Sequence, residues 1–291
     1  MYHYNKFHPF IKNLINNKMK NIFPFLILIT LVVFSCKNKK ENKAIYPVVN
    51  EEKHETTHQK ENKHWTYEGE TGPKHWVEIE KESDCDGKRQ SPINIIDVDV
   101  ITDTLLTPID IYYSTNVKIH EITNNGHSIQ YNFEKGDFII LNNDKYELKQ
   151  IHFHEPSEHT INGIRYPLEM HLVHVSTENK IAVLAIMAKE GESSEPFNFL
   201  EKFLPINNGE TKLIDADFDL NKNLPQDKGY YTYNGSLTTP PCTENVTWFI
   251  YKSPITISVD QVKQLQKLMP LNNYRNEQPI NERIIKQYIS H

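Results

Sequence analysis

No stretch of the 291 residues stays apolar over the roughly 20 positions that a bilayer-spanning helix needs. The longest apolar run, Asn21 to Ser35, is too short, so a transmembrane helix is not expected. Positive charge is not in excess either. Lys and Arg number 32 against 38 Asp and Glu, a net charge of -6, so no basic stripe is available to follow phosphates and nucleic acid is not an expected partner. Past residue 64 there is no linker and no internal repeat, which argues against a second domain. A hydrophobic share of 38% suffices for one core of about 200 to 250 residues plus a tail.

The apolar run has the length of a signal-peptide core and ends at Ser35-Cys36. A small residue followed by cysteine at that point resembles the lipobox of bacterial lipoproteins, in which the signal is cleaved and the new N-terminal cysteine carries a lipid. Residues 1–36 are therefore expected to be a signal peptide, with Met19-Lys20-Asn21 as its natural start and Cys36 as the lipidation site. Residues 37–63 are dense in charge and too poor in apolar side chains to offset the entropy of ordering them, which predicts a flexible tether. His54 and His58 within it are expected to be exposed tail residues. The expected location follows: exported, lipid-anchored to a bacterial membrane, with residues 64–291 in the periplasm or on the cell surface. Once Cys36 is lipidated, Cys85 and Cys242 remain as a pair able to form a disulfide that would pin the loop Thr238-Thr239-Pro240-Pro241. Two buried free thiols are the alternative.

Segments rich in β-branched and aromatic residues, bounded by Asn, Gly and Asp, predict strands at 117–122, 128–133, 138–141, 146–154, 168–176, 181–188 and 246–251. Helices are few. Ser194-Glu195-Pro196 followed by Phe197, Leu200 and Leu204 predicts one short capped helix, and Ser258 with Gln261, then Val262, Leu265 and Leu268, predicts another with a capping box. The fold class is mainly β, of the α+β kind: one sheet of many strands with small peripheral helices.

Two of these strands carry the chemistry. Successive side chains of a strand point to opposite faces, so Gln150, His152 and His154 share one face while Ile151 and Phe153 share the other, and Glu169, His171 and Val173 are grouped likewise. If the two strands are neighbours, three imidazoles converge, with a carboxylate and an amide beside them to fix their tautomers. Three neutral nitrogen ligands leave the charge of a divalent ion uncompensated and a fourth position open, the arrangement that acidifies a bound water. A zinc protease is not expected, because His154 and His159 are one residue too far apart for an H-E-x-x-H helix and Pro156 would break it. His152, His154 and Glu158 also satisfy an H-x-H-x3-E pattern, which keeps a cupin-like metalloprotein as a competitor.

From about His64 onward the chain resembles the α-class carbonic anhydrases, the standard example of zinc-acidified water. The matching segments are His64-Trp65-Thr66-Tyr67, Gln90-Ser91-Pro92-Ile93-Asn94-Ile95, Asn124-Asn125-Gly126-His127, Gln150-Ile151-His152-Phe153-His154, Ser157-Glu158-His159, Glu169-Met170-His171-Leu172-Val173-His174 and Gly235-Ser236-Leu237-Thr238-Thr239-Pro240-Pro241. The resemblance implies a central ten-stranded, mostly antiparallel twisted sheet, cis bonds at Ser91-Pro92 and Pro240-Pro241, and Zn2+ on His152, His154 and His171. It implies hydration of CO2 to bicarbonate and a proton by zinc-bound hydroxide. Thr238 matches the hydroxyl that orients this nucleophile by donating to Glu158, so Glu158 would stand behind the metal rather than on it. Gln150 and Glu169 would hold ligand imidazoles. His127, after the turn Asn124-Asn125-Gly126, resembles the proton shuttle, for which a pKa near neutrality is apt. Val173, Val183, Leu237, Val246 and Trp248 match the apolar wall for CO2, with Thr238 and Thr239 beside it, and Tyr67, Asn125, Gln130 and Thr239 match the hydrophilic side that orders water. His174 and His159 are expected to be structural. An inactive binding module on the same fold is the alternative from another class.

Overall fold

Ten strands follow one another across the large sheet, and the longer ones alternate apolar with polar residues or are apolar throughout. In chain order they are β1 (Ile101–Thr102), β2 (Val117–Asn124), β3 (Ile129–Phe133), β4 (Asp144–His154), β5 (Leu168–Ser176), β6 (Ile181–Glu190), β7 (Thr211–Phe218), β8 (Tyr230–Ser236), β9 (Glu244–Tyr251) and β10 (Lys286–Tyr288). The computed structural model describes residues 64–290, and all of them fall within one structural unit. The expected signal segment, Cys36 and the tether 37–63 lie outside the described residues.

The order across the sheet is β7-β2-β3-β4-β5-β6-β9-β8-β10-β1, and three short strands, Asp110–Tyr112, Phe138–Leu141 and Ile255–Ile257, attach beside this path to make thirteen. The path thus has the expected ten strands. It is more mixed than expected, however, because β6 runs parallel to β9, β10 parallel to β1, and Ile255–Ile257 parallel to β6. The physical reason lies in the connections: β6 reaches β9 only after a long crossover through a helix, β7 and β8, which is what a parallel pairing demands.

Alternation on the central strands sends side chains into two cores. Ala182, Leu184 and Ile186 of β6 join Ile119, Tyr131, Ile151, Phe153 and Leu172 on one face. Val183, Ala185 and Met187 join Ile93, Tyr233, Val246 and Trp248 on the other. A strand buried on both faces reads as a continuous apolar run, which is the pattern of Ile181–Ala188.

The helices are α1 (Trp76–Ile79), α2 (Glu195–Leu200) and α3 (Val259–Gln266). The Ser258–Gln261 capping box of α3 is present in full. The expected cap of α2 is not: Ser194 occupies the cap position but its side chain makes no capping hydrogen bond. Gln261 takes over instead, accepting from the Ser194 backbone N–H (2.9 Å) and donating to the Ser194 carbonyl (2.8 Å) and Asn198 Oδ1 (2.7 Å), so one buried amide fastens both helices.

Ser91-Pro92 and Pro240-Pro241 are cis, as are Glu155-Pro156 and Leu204-Pro205. Cys85 and Cys242 form a disulfide, so the alternative of two free thiols is discarded. The bond joins residues 157 positions apart in the chain, next to the Thr238–Pro241 segment. Replacing both cysteines by serine should lower the free energy of unfolding by up to about 5 kcal/mol, read from denaturant midpoints. An unchanged midpoint would show that the loop is held by other contacts.

Candidate metal centre

Strands β4 and β5 are antiparallel neighbours whose register sets His171 opposite His152 and Glu169 opposite His154. His152 and His154 therefore project to the face away from Ile151 and Phe153, and His171 meets them from the next strand. The ring centroids stand 5.1 Å (His152–His154), 5.0 Å (His152–His171) and 4.7 Å (His154–His171) apart. One nitrogen of each ring lies within 4.8 Å of the other two.

Each outer nitrogen is committed to an acceptor. His152 Nδ1 donates to Gln150 Oε1 (2.9 Å), His171 Nε2 to Glu169 Oε1 (2.7 Å), and His154 Nδ1 to the Asn273 carbonyl (2.6 Å). Acceptors on the outside fix the N–H there and leave the remaining lone pairs pointing inward. His154 Nε2 is buried without a hydrogen-bond partner, and His152 Nε2 faces His171 Nδ1 at 3.2 Å. Convergent lone pairs repel, and a cation relieves the repulsion. The donor set therefore fits a divalent metal. Burial lowers the pKa of all three rings, that of His154 to about 4, so they remain in the neutral, ligating form at neutral pH.

Glu169 is saturated. Its Oε1 accepts from His171 and from His159 Nδ1 (2.7 Å), and its Oε2 accepts the backbone N–H groups of Glu158 and His159 (both 2.8 Å). Although burial pushes its pKa up, the neighbouring His159 and His171 rings and their hydrogen bonds outweigh that and hold it well below the carboxylate range. His159, expected to be structural, shares the carboxylate that holds His171, and it passes the chain on to the Tyr233 hydroxyl (2.7 Å), itself 2.8 Å from Ser91 Oγ. Gly235 sits beside this chain, where a Cβ would collide with Ser91 Oγ and the Tyr233 ring. His174 faces the opposite core and pairs with the Tyr113 hydroxyl at 2.6 Å.

Glu158 is fully buried, with Oε2 at 3.4 Å from His154 Nε2 and Oε1 accepting the Arg275 backbone N–H at 2.9 Å. Burial pushes its pKa up to about 7, and His171, the Thr238 hydroxyl and the Arg275 N–H oppose the rise. The histidine trio that could hold a metal is completed by His171 and does not include Glu158, and all three rings stand on one large sheet of thirteen strands rather than in a double-sheet jelly roll, so the cupin-like alternative is set aside. Val183, Val246 and Trp248 are buried in one apolar cluster, with Val173 and Leu237 packed against it, and the Trp248 ring stands 4.9 Å from that of His171.

His127 is half-buried, stacked on Trp65 at 3.6 Å, with Nε2 at 3.0 Å from His64 Nε2. Burial and the His64 ring bring its pKa down to about 4, below the neutrality that a relay favours. Asn125 does not face water alone: its Oδ1 accepts the backbone N–H groups of His127 (2.9 Å) and Ser128 (2.8 Å), shaping the turn in which Gly126 has a φ of 82°. Gln130 lies opposite His152 in register and donates to Asn132 Oδ1 (2.6 Å). The Tyr67 hydroxyl is buried without a partner, near enough to Glu158 for that charge to add to the effect of burial in raising its pKa. Thr239 is half-buried, and its carbonyl accepts the Cys242 N–H at 2.8 Å. Sequence reasoning missed Asn273, which supports His154 through its carbonyl and so carries no side-chain signature, and Arg275, which lies in a polar stretch without periodicity.

Neutral imidazoles converging on one point, each braced from behind, give this domain a candidate site for one metal ion on a mixed sheet. The sequence model of the eukaryotic-type carbonic anhydrases matches residues 71–289. The carbonic anhydrase of Klebsiella pneumoniae is 40% identical over 226 residues, covering 76% of this chain and 90% of that protein, and that of Neisseria gonorrhoeae is 36% identical over 228 residues, covering 76% and 87%. The α-carbonic anhydrase of Thermovibrio ammonificans, solved with the inhibitor sulfanilamide, superposes with a TM-score of 0.73 at 38% identity, covering 77% of this chain and 98% of that one. The chain belongs to the eukaryotic-type, or α-class, carbonic anhydrase family. Its reaction is the hydration of carbon dioxide, in a zinc-dependent family.

The depressed ligand pKa values have a consequence for the metal-free protein. A group whose folded pKa lies below its unfolded value favours folding above the unfolded pKa, and that contribution is lost as pH falls toward the folded pKa. For His154 the window runs from 6.5 down to about 4, and the loss amounts to about 3 kcal/mol. Chelator-treated protein should therefore show a denaturation midpoint that falls steeply across this window, while zinc-loaded protein holds its midpoint further down. Parallel curves would mean that these rings do not bind the ion.

Proposed function

We propose that His152, His154 and His171 hold the zinc ion and that Glu158, Thr238 and His127 carry the rest of the hydration reaction. The observation behind this is the set of three inward lone pairs, each with its opposite N–H tied to an acceptor. When bound there, zinc supplies the charge that makes water acidic at neutral pH. The chain's own groups then have distinct tasks. Glu158, tipped toward its ionised form by the positive charge of a nearby dication, accepts from the Thr238 hydroxyl, and that hydroxyl is left with a lone pair to orient the attacking water-derived nucleophile. Val173, Val183, Leu237, Val246 and Trp248 offer an uncharged wall to CO2, which has no net charge or dipole for a polar clamp to grip. Carbon–oxygen bond formation gives bicarbonate, and one proton must leave for each turnover.

His127 is the group we assign to that proton. It stands beside the exposed His64 ring, Nε2 to Nε2 at 3.0 Å, so an imidazole at the surface continues the path from it toward solvent. We place the enzyme outside the cytoplasm on a lipid anchor at Cys36. The Ser35-Cys36 signature and the charged segment 37–63 support that location, and a Cys85–Cys242 disulfide agrees with an oxidising compartment. Among the described residues no helix is long and apolar enough to cross a membrane.

Two substitutions test the assignment. Glu158→Gln should leave zinc stoichiometric and lower kcat for CO2 hydration by about a hundredfold, because it perturbs orientation and not ligation; loss of zinc would make Glu158 a ligand. His127→Ala should slow turnover by about tenfold or more, with imidazole buffer restoring part of it. An unchanged rate in weak buffer would remove His127 from the proton path.

A further inference from the structure

Arg275 is a buried cation placed where the reaction has no need of positive charge. It is 2% exposed, and its guanidinium Nη1 donates to Gln90 Oε1 (2.7 Å) and to the Ser91 carbonyl (3.0 Å), while Nη2 donates to the Cys85 carbonyl (2.9 Å). The Trp76 ring lies 5.5 Å from the guanidinium carbon. Burial brings its pKa down to about 10, and the Glu158 charge opposes that fall. Burying so strong a base is costly unless its donors are satisfied, and here acceptors from the disulfide segment and from the segment around Ser91-Pro92 take up both terminal nitrogens, while Nε is buried without a partner.

The backbone of the same residue reaches the opposite way. The Arg275 N–H is the donor to Glu158 Oε1. Gln90, the side chain that Arg275 grips, donates in turn to the Cys242 carbonyl (3.2 Å) and to Glu244 Oε1 (3.2 Å). Ser236 Oγ also approaches Gln90 Oε1 at 3.3 Å and accepts the Ser91 N–H at 2.9 Å. Thr238 stands between Ser236 and Cys242 in the chain. The contacts therefore close a ring: Glu158 is held by Arg275, Arg275 by Gln90 and Cys85, and those two by Cys242 and Ser236, which flank Thr238.

We infer that Arg275 is a positioning residue for the hydration reaction, its guanidinium anchoring the main-chain N–H that aims Glu158 and thereby the separation of Glu158 from Thr238. This rests on the assignment of Glu158 and Thr238 made above. A side chain with the same charge but without the planar fork cannot hold three acceptors in this arrangement. A shift of about one ångström or less at Glu158 is enough to misdirect the Thr238 hydroxyl.

The test is a double-mutant cycle on the full-length, zinc-loaded protein. Arg275→Lys should lower kcat by about tenfold, with KM and zinc content unchanged, and Gln90→Met should lower it less in the same direction. Thr238→Ala alone should lower kcat strongly, and adding Arg275→Lys to it should cost less than about a further twofold, because the pair that Arg275 aims is already broken. Hydrogen exchange of the peptide containing residues 270–276 should be faster in Arg275→Lys, a readout independent of turnover. Multiplicative losses in the double variant, or full activity in a folded, zinc-loaded Arg275→Lys protein, would overturn the inference. Should Arg275→Lys fail to fold, Gln90→Met takes its place in the cycle, and multiplicative losses or full activity there overturn the inference equally. Full activity in Thr238→Ala would instead bring down the Glu158–Thr238 assignment, and this inference with it.

Discussion

The saturation of Glu169 is the constraint on which the centre depends. Four donors, two imidazole N–H groups and two backbone N–H groups, surround one buried carboxylate. A buried charge with fewer partners would protonate or move, and either change would release the His171 ring. With the charge fixed, His171 donates outward, its other nitrogen is left unprotonated, and it lies within 4.8 Å of a nitrogen on each of the two rings of β4. The two backbone donors are those of Glu158 and His159, so the carboxylate that holds the His171 ring also fixes the loop that carries Glu158. Under the proposed function, ligation and orientation would share one hydrogen-bond acceptor.

The surrounding sheet explains why such precision is attainable. The three rings stand on adjacent strands near the middle of the ten-strand path, each paired with a neighbour on both sides. A site on rigid central strands loses little to thermal motion compared with one on loops.

Much of this was legible because strand periodicity is a local property. The alternation in Gln150–His154 placed two histidines on one face, and the alternation in Glu169–Val173 added the third, provided that the two strands were neighbours, which the register confirms. The edges of the sheet were not legible. β7 carries charge at Lys212, Asp215 and Asp217, and its apolar alternation is confined to Ile214, Ala216 and Phe218, too short a run to stand out. β8 contains Asn234-Gly235, a pair that reads as a turn, whereas here Gly235 is a strand residue required by close packing against Ser91 and Tyr233. β1 and β10 have two and three residues, too few for any period to register. The supports supplied by Asn273 and Arg275 through main-chain atoms were invisible for a different reason: a carbonyl or an N–H belongs to every residue type alike.

The placement of these last supports has a temporal consequence. Asn273 and Arg275 come late in the chain, after α3, and β10 follows them, clasped between β8 and β1. A ribosome that has released the chain only as far as α3 presents every imidazole of the centre and yet neither of the two clasps behind His154 and Glu158. Completion of the pocket therefore waits for the segment beyond α3, so that the last-made part of the chain closes a centre whose rings were laid down long before.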